Sequence, residues 1–319
     1  MELTSQNGHS QQPEAALGIF ENSRMQRLGI KFPVMVAPMV GLTHVAFREL
    51  MRHYIPEGLE VLLFTEMLSS RRIPSEKIEY INGLKCSDNE KFFIPQLLAN
   101  EEKFIAPSLK KLSQQNPWGF DLNMGCPVKQ TLKHNWGVRL MGDPEYAADV
   151  VRAARKHTDK PLSVKMRGSV GSESNLENLL NFTKSIEEAG ADWITIHPRS
   201  KEKKHSGRAD WQLVSDVARE RKIPVVVNGD IQTVDDITSI FTNHQIDGVM
   251  LARVMTARPW LIWQFAQSVG YHTPPRAFAR RSPPSTLEEE SKEYFAALLT
   301  YIDLLEKYFD DEAFKLHRL

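Results

Sequence analysis

The sequence predicts a (β/α)8 barrel with a C-terminal helical appendage. Three observations carry that expectation. The 319 residues suit a barrel of ~250 residues plus a small addition. From Pro33 onward, eight short apolar runs alternate with longer amphipathic segments. The runs are rich in Val, Ile, Leu and Phe, as parallel strands buried on both faces require.

In chain order the predicted strands are Val34–Met39, Val61–Glu66, Phe92–Leu98, Gly119–Met124, Leu162–Arg167, Trp193–His197, Pro224–Asn228 and Gly248–Arg253. The segments between them read as helices. Thr43 precedes HVAFRELMRHY, and Asn100 is a candidate cap for EEKFIAPSLKKLSQQ, with Pro107 inside it. Asp143-Pro144-Glu145 supplies a cap, a proline at the first helical position and an early acid. Gly190 is a natural stop for NLENLLNFTKSIEEAG, and Asp210 and Thr233 can cap two further helices. Strand then helix, repeated, predicts a closed parallel barrel with right-handed crossovers. The domain reading is a mobile tail over residues 1–30, the barrel over 31–270, a Pro- and Arg-rich linker over 271–286 and a helical segment over 287–319.

Composition narrows the function classes. Lys plus Arg and Asp plus Glu are 40 each, so the net charge is zero and nucleic-acid binding needs a local basic patch. The two cysteines, Cys86 and Cys126, are too few and too distant for a zinc site or a disulfide framework, and suit a reducing compartment. No apolar run approaches ~20 residues, and no secretory signal opens the chain. The expectation is a cytoplasmic monomer without a membrane span or a metal.

In such a barrel the active site lies at the C-terminal strand ends. The residues placed there are Met39, Glu66, Gln96, Asn123 with Cys126, Lys165 with Arg167, His197, Asn228 with Asp230, and Arg253. Cys126, in DLNMGCP, is either a small buried hydrophobe or a thiol aimed into the pocket as acid or nucleophile; the Gly-Cys-Pro setting favours the second. Lys165, in SVKMRG, points into the barrel mouth, where it either pairs with Glu66 or Asp121 or serves a bound anion or electron-rich ring. Gln96 offers a donor and an acceptor, or merely ends a strand. Asn228-Gly229-Asp230 and Ala252-Arg253 follow strands seven and eight, where such barrels commonly bind phosphate, although NGD alone is only a turn. His197 is structural by default. The Arg199, Lys201, Lys203, Lys204, His205 and Arg208 run, with Lys129, Lys133, His134 and Arg139 and with Arg276, Arg280 and Arg281, is either a solvated surface or a polyanion track.

At these residues the chain resembles the tRNA-dihydrouridine synthase family, over about Pro33 to Val269. The matching pieces are APMVGLTHVAFREL, TEM, PQLLAN, DLNMGCPV, LMGDPE, SVKMRG, HPRSKE…GRADW, PVVVNGDI and DGVMLAR. The resemblance implies FMN-dependent reduction of uridine to dihydrouridine in tRNA, with NADPH as reductant. It implies that Ala37, Pro38 and Met39 line the cofactor ring with Gln96 at its edge, that Lys165 meets the ring's electron-rich side and that His197 also contacts the cofactor. Asn228, Gly229, Asp230, Ala252 and Arg253 would hold its phosphate end, Asn123, Arg167 and His205 the target uracil, and Cys126 would be the proton donor. This chain departs from the family pattern at Pro198, at His205 where a tyrosine is common, at Ala252 in the phosphate loop and at Val138-Arg139. The family's C-terminal helical domain reads as cut short at Leu319. Two rival readings are a flavin barrel acting on a free pyrimidine or other small molecule and a non-catalytic RNA-binding barrel. Cys126, Lys165 and Gln96 together argue against the second, and the basic loops against the first.

Overall fold

The computed structural model describes residues 18–87, 90–169, 175–200, 208–278 and 282–316. Eight parallel strands close in sequence order: β1 (Val34–Val36), β2 (Leu62–Ser69), β3 (Phe93–Leu98), β4 (Phe120–Met124), β5 (Leu162–Ser169), β6 (Trp193–Ser200), β7 (Val225–Asn228) and β8 (Gly248–Leu251). Closure is the β8–β1 pairing, Val34 to Val249, Met35 to Met250 and Val36 to Leu251.

Period-two alternation sorts each strand. Val34, Leu63, Leu122, Val164, Ile194, Val227 and Leu251 face the helices, while Met35, Leu62, Phe64, Ile94, Trp193, Val226 and Met250 fill the barrel. The surrounding helices are α1 (Val45–Tyr54), α2 (Glu102–Leu112), α3 (Lys129–Lys133), α4 (Pro144–Arg155), α5 (Leu176–Glu188), α6 (Trp211–Glu220), α7 (Val234–Asn243), α8 (Val254–Ala257) and α9 (Leu261–Ser268). Their starts follow local chemistry. Asp143, Asn175, Asp210 and Thr233 each accept a backbone N–H of the first turn. Asn100 does not cap α2. Its amide instead donates to His134 O and accepts from the Trp136 indole, and Glu101 takes the cap position.

Two features depart from the expected plan. Between β2 and β3 the described residues form only 3-10 turns, Ile78–Tyr80 and Asn82–Leu84, where a helix was expected. This connection is pinned to α1 by a buried ion pair, Arg48 Nε to Glu90 Oε1 at 2.6 Å. Residues 18–30 are not a mobile tail. Phe20, Met25 and Ile30 are buried, the chain turns through Arg24–Leu28, and Arg24 is bound to Asp247 through its backbone N–H (2.8 Å), its Nε (2.9 Å) and its Nη2 (2.6 Å). Met25 joins the interior side chains and plugs the N-terminal end of the barrel. The reason is sequence spacing. Isolated apolar residues separated by polar ones show no period, yet each finds a pocket once the barrel exists.

The C-terminal segment forms α10 (Leu287–Tyr308) and α11 (Glu312–Leu316). Thr286 and Glu289 build a capping box at the start of α10. The helix docks on α1, with Tyr54 Oη donating to Glu293 at 2.9 Å and Tyr301 Oη 3.1 Å from His44 Nε2. Lys85 Nζ donates to Tyr308 O, tying α10 to the β2–β3 connection. The irregular residues before α10 pack as well: Phe278 lies against Tyr54 and Trp263, with ring centroids 4.8 and 5.6 Å apart. No helix among the described residues is long and apolar enough to cross a membrane.

Candidate active site

Climbing the strands, the interior changes from apolar to polar. On β4 the inward residues are Asp121 and Asn123. On β5 they are Ser163, Lys165 and Arg167, and on β6 Trp193, Thr195 and His197, in the register set by strand pairing. Above them a cavity of about 390 Å³ opens, a size that holds a small ligand or cofactor. Its walls include Ala37, Pro38, Met39, Gln96, Asn123, Cys126, Lys165, Arg167, His197, Asn228, Gly229, Asp230, Ala252 and Arg253. The structure thus gathers fourteen of the fifteen candidate residues around one space. His205 lies outside the described residues, as do Lys201, Lys203, Lys204, Arg280 and Arg281.

Lys165 is half-buried, and its open surface faces the cavity. Among the described residues its ammonium makes no ion pair. Neither carboxylate considered from the sequence holds it. Glu66 Oε2 accepts from Gly41 N at 2.6 Å, because a register shift between Phe64 and Met67 puts Met67, not Glu66, on the cavity wall. Asp121 is engaged by Gln96 Nε2 at 2.6 Å and Ser163 Oγ at 2.5 Å. Burial lowers the Lys165 pKa to about 8, with the charge on Asp121 opposing that fall. Burial raises the Asp121 pKa to about 7 against its two hydrogen bonds and the Lys165 charge. A desolvated ammonium facing an open cavity is a built-in demand for a negative or electron-rich partner.

Cys126 sits on the loop leaving β4. Its N–H and that of Gly125 both donate to Asn123 Oδ1, at 2.9 and 3.1 Å. Its carbonyl accepts from Val138 N at 3.1 Å. Gly137 makes this possible: its φ is +62°, and a Cβ there would lie 2.4 Å from Cys126 O. Burial lowers the pKa of Arg167, whose Nε donates to Gly125 O of the same loop at 3.0 Å.

At the far end, Gly229 has φ +112°, and a Cβ there would meet the His197 ring at 2.7 Å. Only glycine lets the β7 loop pass under that imidazole. Asp230 occupies the left-handed region, φ +56°, which Asp tolerates. It is held by Arg199 Nη2 at 2.5 Å and Ala209 N at 2.6 Å. Asn228 Nδ2 donates to Met250 O at 2.7 Å, joining the ends of β7 and β8. Arg253 is exposed at the cavity edge.

Several residues of this site lay outside the candidate set, Arg199, Asp121, Ser163 and Gly137 among them. Arg199 was counted with the basic surface run, but it is buried and paired. Asp121 and Ser163 stand two positions before Asn123 and Lys165, so strand alternation alone could have found them. For Gly137 no local signal exists, because its constraint is the distant Cys126 carbonyl.

Comparisons with known proteins agree with this geometry. The sequence model of one family, Dihydrouridine synthase (Dus), matches residues 35–308. A probable tRNA-dihydrouridine synthase of Rhizobium leguminosarum bv. phaseoli is 32% identical over 73% of this chain and 71% of its own length. One of Rickettsia bellii is 34% identical over 72% and 69%, and tRNA-dihydrouridine synthase B of Shewanella oneidensis 28% identical over 73% and 70%. Among solved structures, a 2-naphthoyl-CoA reductase complex shares the fold, with a TM-score of 0.54 at 13% identity over 75% of this chain and 50% of that one. With the match running through the whole barrel and on into α10, the chain belongs to the dihydrouridine synthase family.

Proposed function

We propose that this protein reduces uridine in tRNA to 5,6-dihydrouridine, with FMN in the barrel-mouth cavity, NADPH as reductant and Cys126 as proton donor. The observation that carries the reading is that Cys126, Lys165 and Gln96 share one cavity with the Gly229 and Arg253 loops. The residues fit the cofactor. The Ala37–Met39 backbone and Met250 offer an apolar wall for a flat ring, and among the described residues the Lys165 ammonium makes no ion pair. Gly229, Asp230 and Arg253 offer backbone donors and a guanidinium to a phosphomonoester.

When bound, FMN would supply the hydride for C6 of the uracil. The remaining work belongs to the protein. Lys165 favours negative charge at the ring edge. Asn123 and Arg167 present an amide and a guanidinium to the base edge. Cys126 Sγ gives its proton to C5, which a positioned neutral thiol can do as a general acid. A cavity enclosed by a barrel mouth admits only a base taken out of its stack. A tRNA substrate makes the cytoplasm the site of action.

Deleting the gene and mapping dihydrouridine across cellular RNAs tests the reading. The expected result is loss at one or a few tRNA positions, restored by the wild-type gene and not by Cys126→Ala. An unchanged map refutes it. Turnover of free uracil but not tRNA by the purified yellow protein selects the small-molecule reading instead.

A further inference from the structure

Asp121 does not line the cavity and has no exposed surface. It nevertheless begins a hydrogen-bonded chain that ends on the cysteine loop. Ser163 Oγ and Gln96 Nε2 donate to its two carboxylate oxygens, at 2.5 and 2.6 Å. Gln96 Oε1 accepts from Asn123 Nδ2 at 2.8 Å, and Asn123 Oδ1 accepts from the Gly125 and Cys126 N–H groups. Each amide could in principle face either way. While Asp121 is ionised the chain has one consistent direction, because a carboxylate then only accepts. With Gln96 turned round, its oxygen would face the carboxylate. Its NH2 would then face Asn123, and an Asn123 amide turned to accept from it would aim its own NH2 at two backbone donors. Acceptor against acceptor at one end and donor against donor at the other would break the ladder.

We propose that Asp121 is a positioning residue: through Gln96 and Asn123 it sets the amide polarity that holds the Cys126 loop and aims the thiol into the cavity. The proposal takes the reading of Cys126 as the reactive group for granted, but it concerns the loop and can be tested without cofactor or RNA. The groups facing Asp121 are the Gln96 amide from β3, the Ser163 hydroxyl and the Lys165 ammonium from β5. Sequence proximity explains the reach: Asp121, Asn123 and Cys126 lie within six residues on one strand and its exit turn.

The test uses the full-length protein and peptide-resolved alkylation by iodoacetamide, which separates Cys126 from Cys86. Asp121→Leu removes the acceptors while keeping a branched side chain of four heavy atoms. It is expected to speed Cys126 alkylation about tenfold as the loop loosens, and to lower kcat for dihydrouridine formation about 10- to 100-fold at nearly constant KM. Asp121→Asn keeps one acceptor toward Gln96, since the Ser163 hydroxyl can turn to the Phe120 carbonyl, 3.4 Å away. It should stay within about twofold of wild type in alkylation. If Asp121→Leu fails to fold, Gln96→Glu serves. Alone it sets two carboxylates face to face and disturbs alkylation; combined with Asp121→Asn it restores a donor toward position 96 and the wild-type rate. Leu and Asn variants that behave alike, or a double variant no better than Gln96→Glu, overturn the proposal. Normal alkylation effects with no dihydrouridine activity in any variant would instead refute the reaction and leave the positioning role standing.

Discussion

The two ends of the barrel are built from the same strands and do opposite things. At the N-terminal end, Met25, Met35, Leu62, Phe64, Ile94, Trp193 and Val226 form a dry plug, each 0% exposed. At the C-terminal end, Gln96, Asp121, Asn123, Lys165 and Arg167 crowd polar and charged groups beside a cavity. On β3 the change is a single alternation, from Ile94 to Gln96. The comparison teaches that a desolvated ammonium and a buried carboxylate are confined to the rim, while the floor supplies apolar burial. Stability and chemistry are separated along the strand axis rather than around the ring.

That separation can be broken from the rim first. Cys126→Ala is expected to lower dihydrouridine formation by about 10²–10⁴-fold, as loss of a general acid does, while the thermal melt stays at the wild-type temperature. A large fall in melting temperature would mean that the thiol is a packing residue. The floor should respond in the reverse sense. Met25→Ala empties part of the plug and should cost about 2–5 kcal/mol in urea unfolding, with the turnover of the folded fraction unchanged.

Lys165 sharpens the comparison because its charge depends on pH. Its pKa in the folded protein is lowered to about 8 by burial. Below that value the ammonium is charged in both folded and unfolded chains, and its desolvation penalty is fully present. Above the unfolded value it is absent. Between the two, stability attributable to this group rises with pH. Lys165→Met should therefore stabilise the protein by about 1–2 kcal/mol at pH 7, with the gap to wild type narrowing as pH rises through about 8. Melts recorded from pH 6 upward in cofactor-free protein would show it, and a pH-independent gap would place the penalty elsewhere. The smallest effect belongs to the outer surface. Lys129, exposed one turn beyond Cys126, should act as a phosphate contact, and Lys129→Ala should reduce the salt slope of tRNA binding by about one.

Much of this was legible beforehand, for a stated reason. Parallel strands covered on both faces leave long apolar runs, and polar residues that interrupt them at the C-terminal ends stand out. Lys165 and Gln96 were visible in that way, and DLNMGCP identified itself by its composition. Residues 18–30 were misread, because a plug assembled from scattered contacts has no periodicity. Glu66 was placed on the rim because nothing local announces the register shift that substitutes Met67. Arg199 was read as surface, since a basic run hides the one member that turns inward to Asp230.

By itself, then, the amino-acid order determined the strand and helix succession, the ends of most helices and which side chains share a strand face, because these depend on neighbours two to four residues apart. Only the tertiary structure decided how the amides of Gln96 and Asn123 are directed, why Gly137 and Gly229 must be glycine, and which cation is buried in an ion pair and which faces the cavity. Those outcomes depend on atoms brought together from separate strands, and hydrogen-bond direction and steric exclusion act only across such through-space distances.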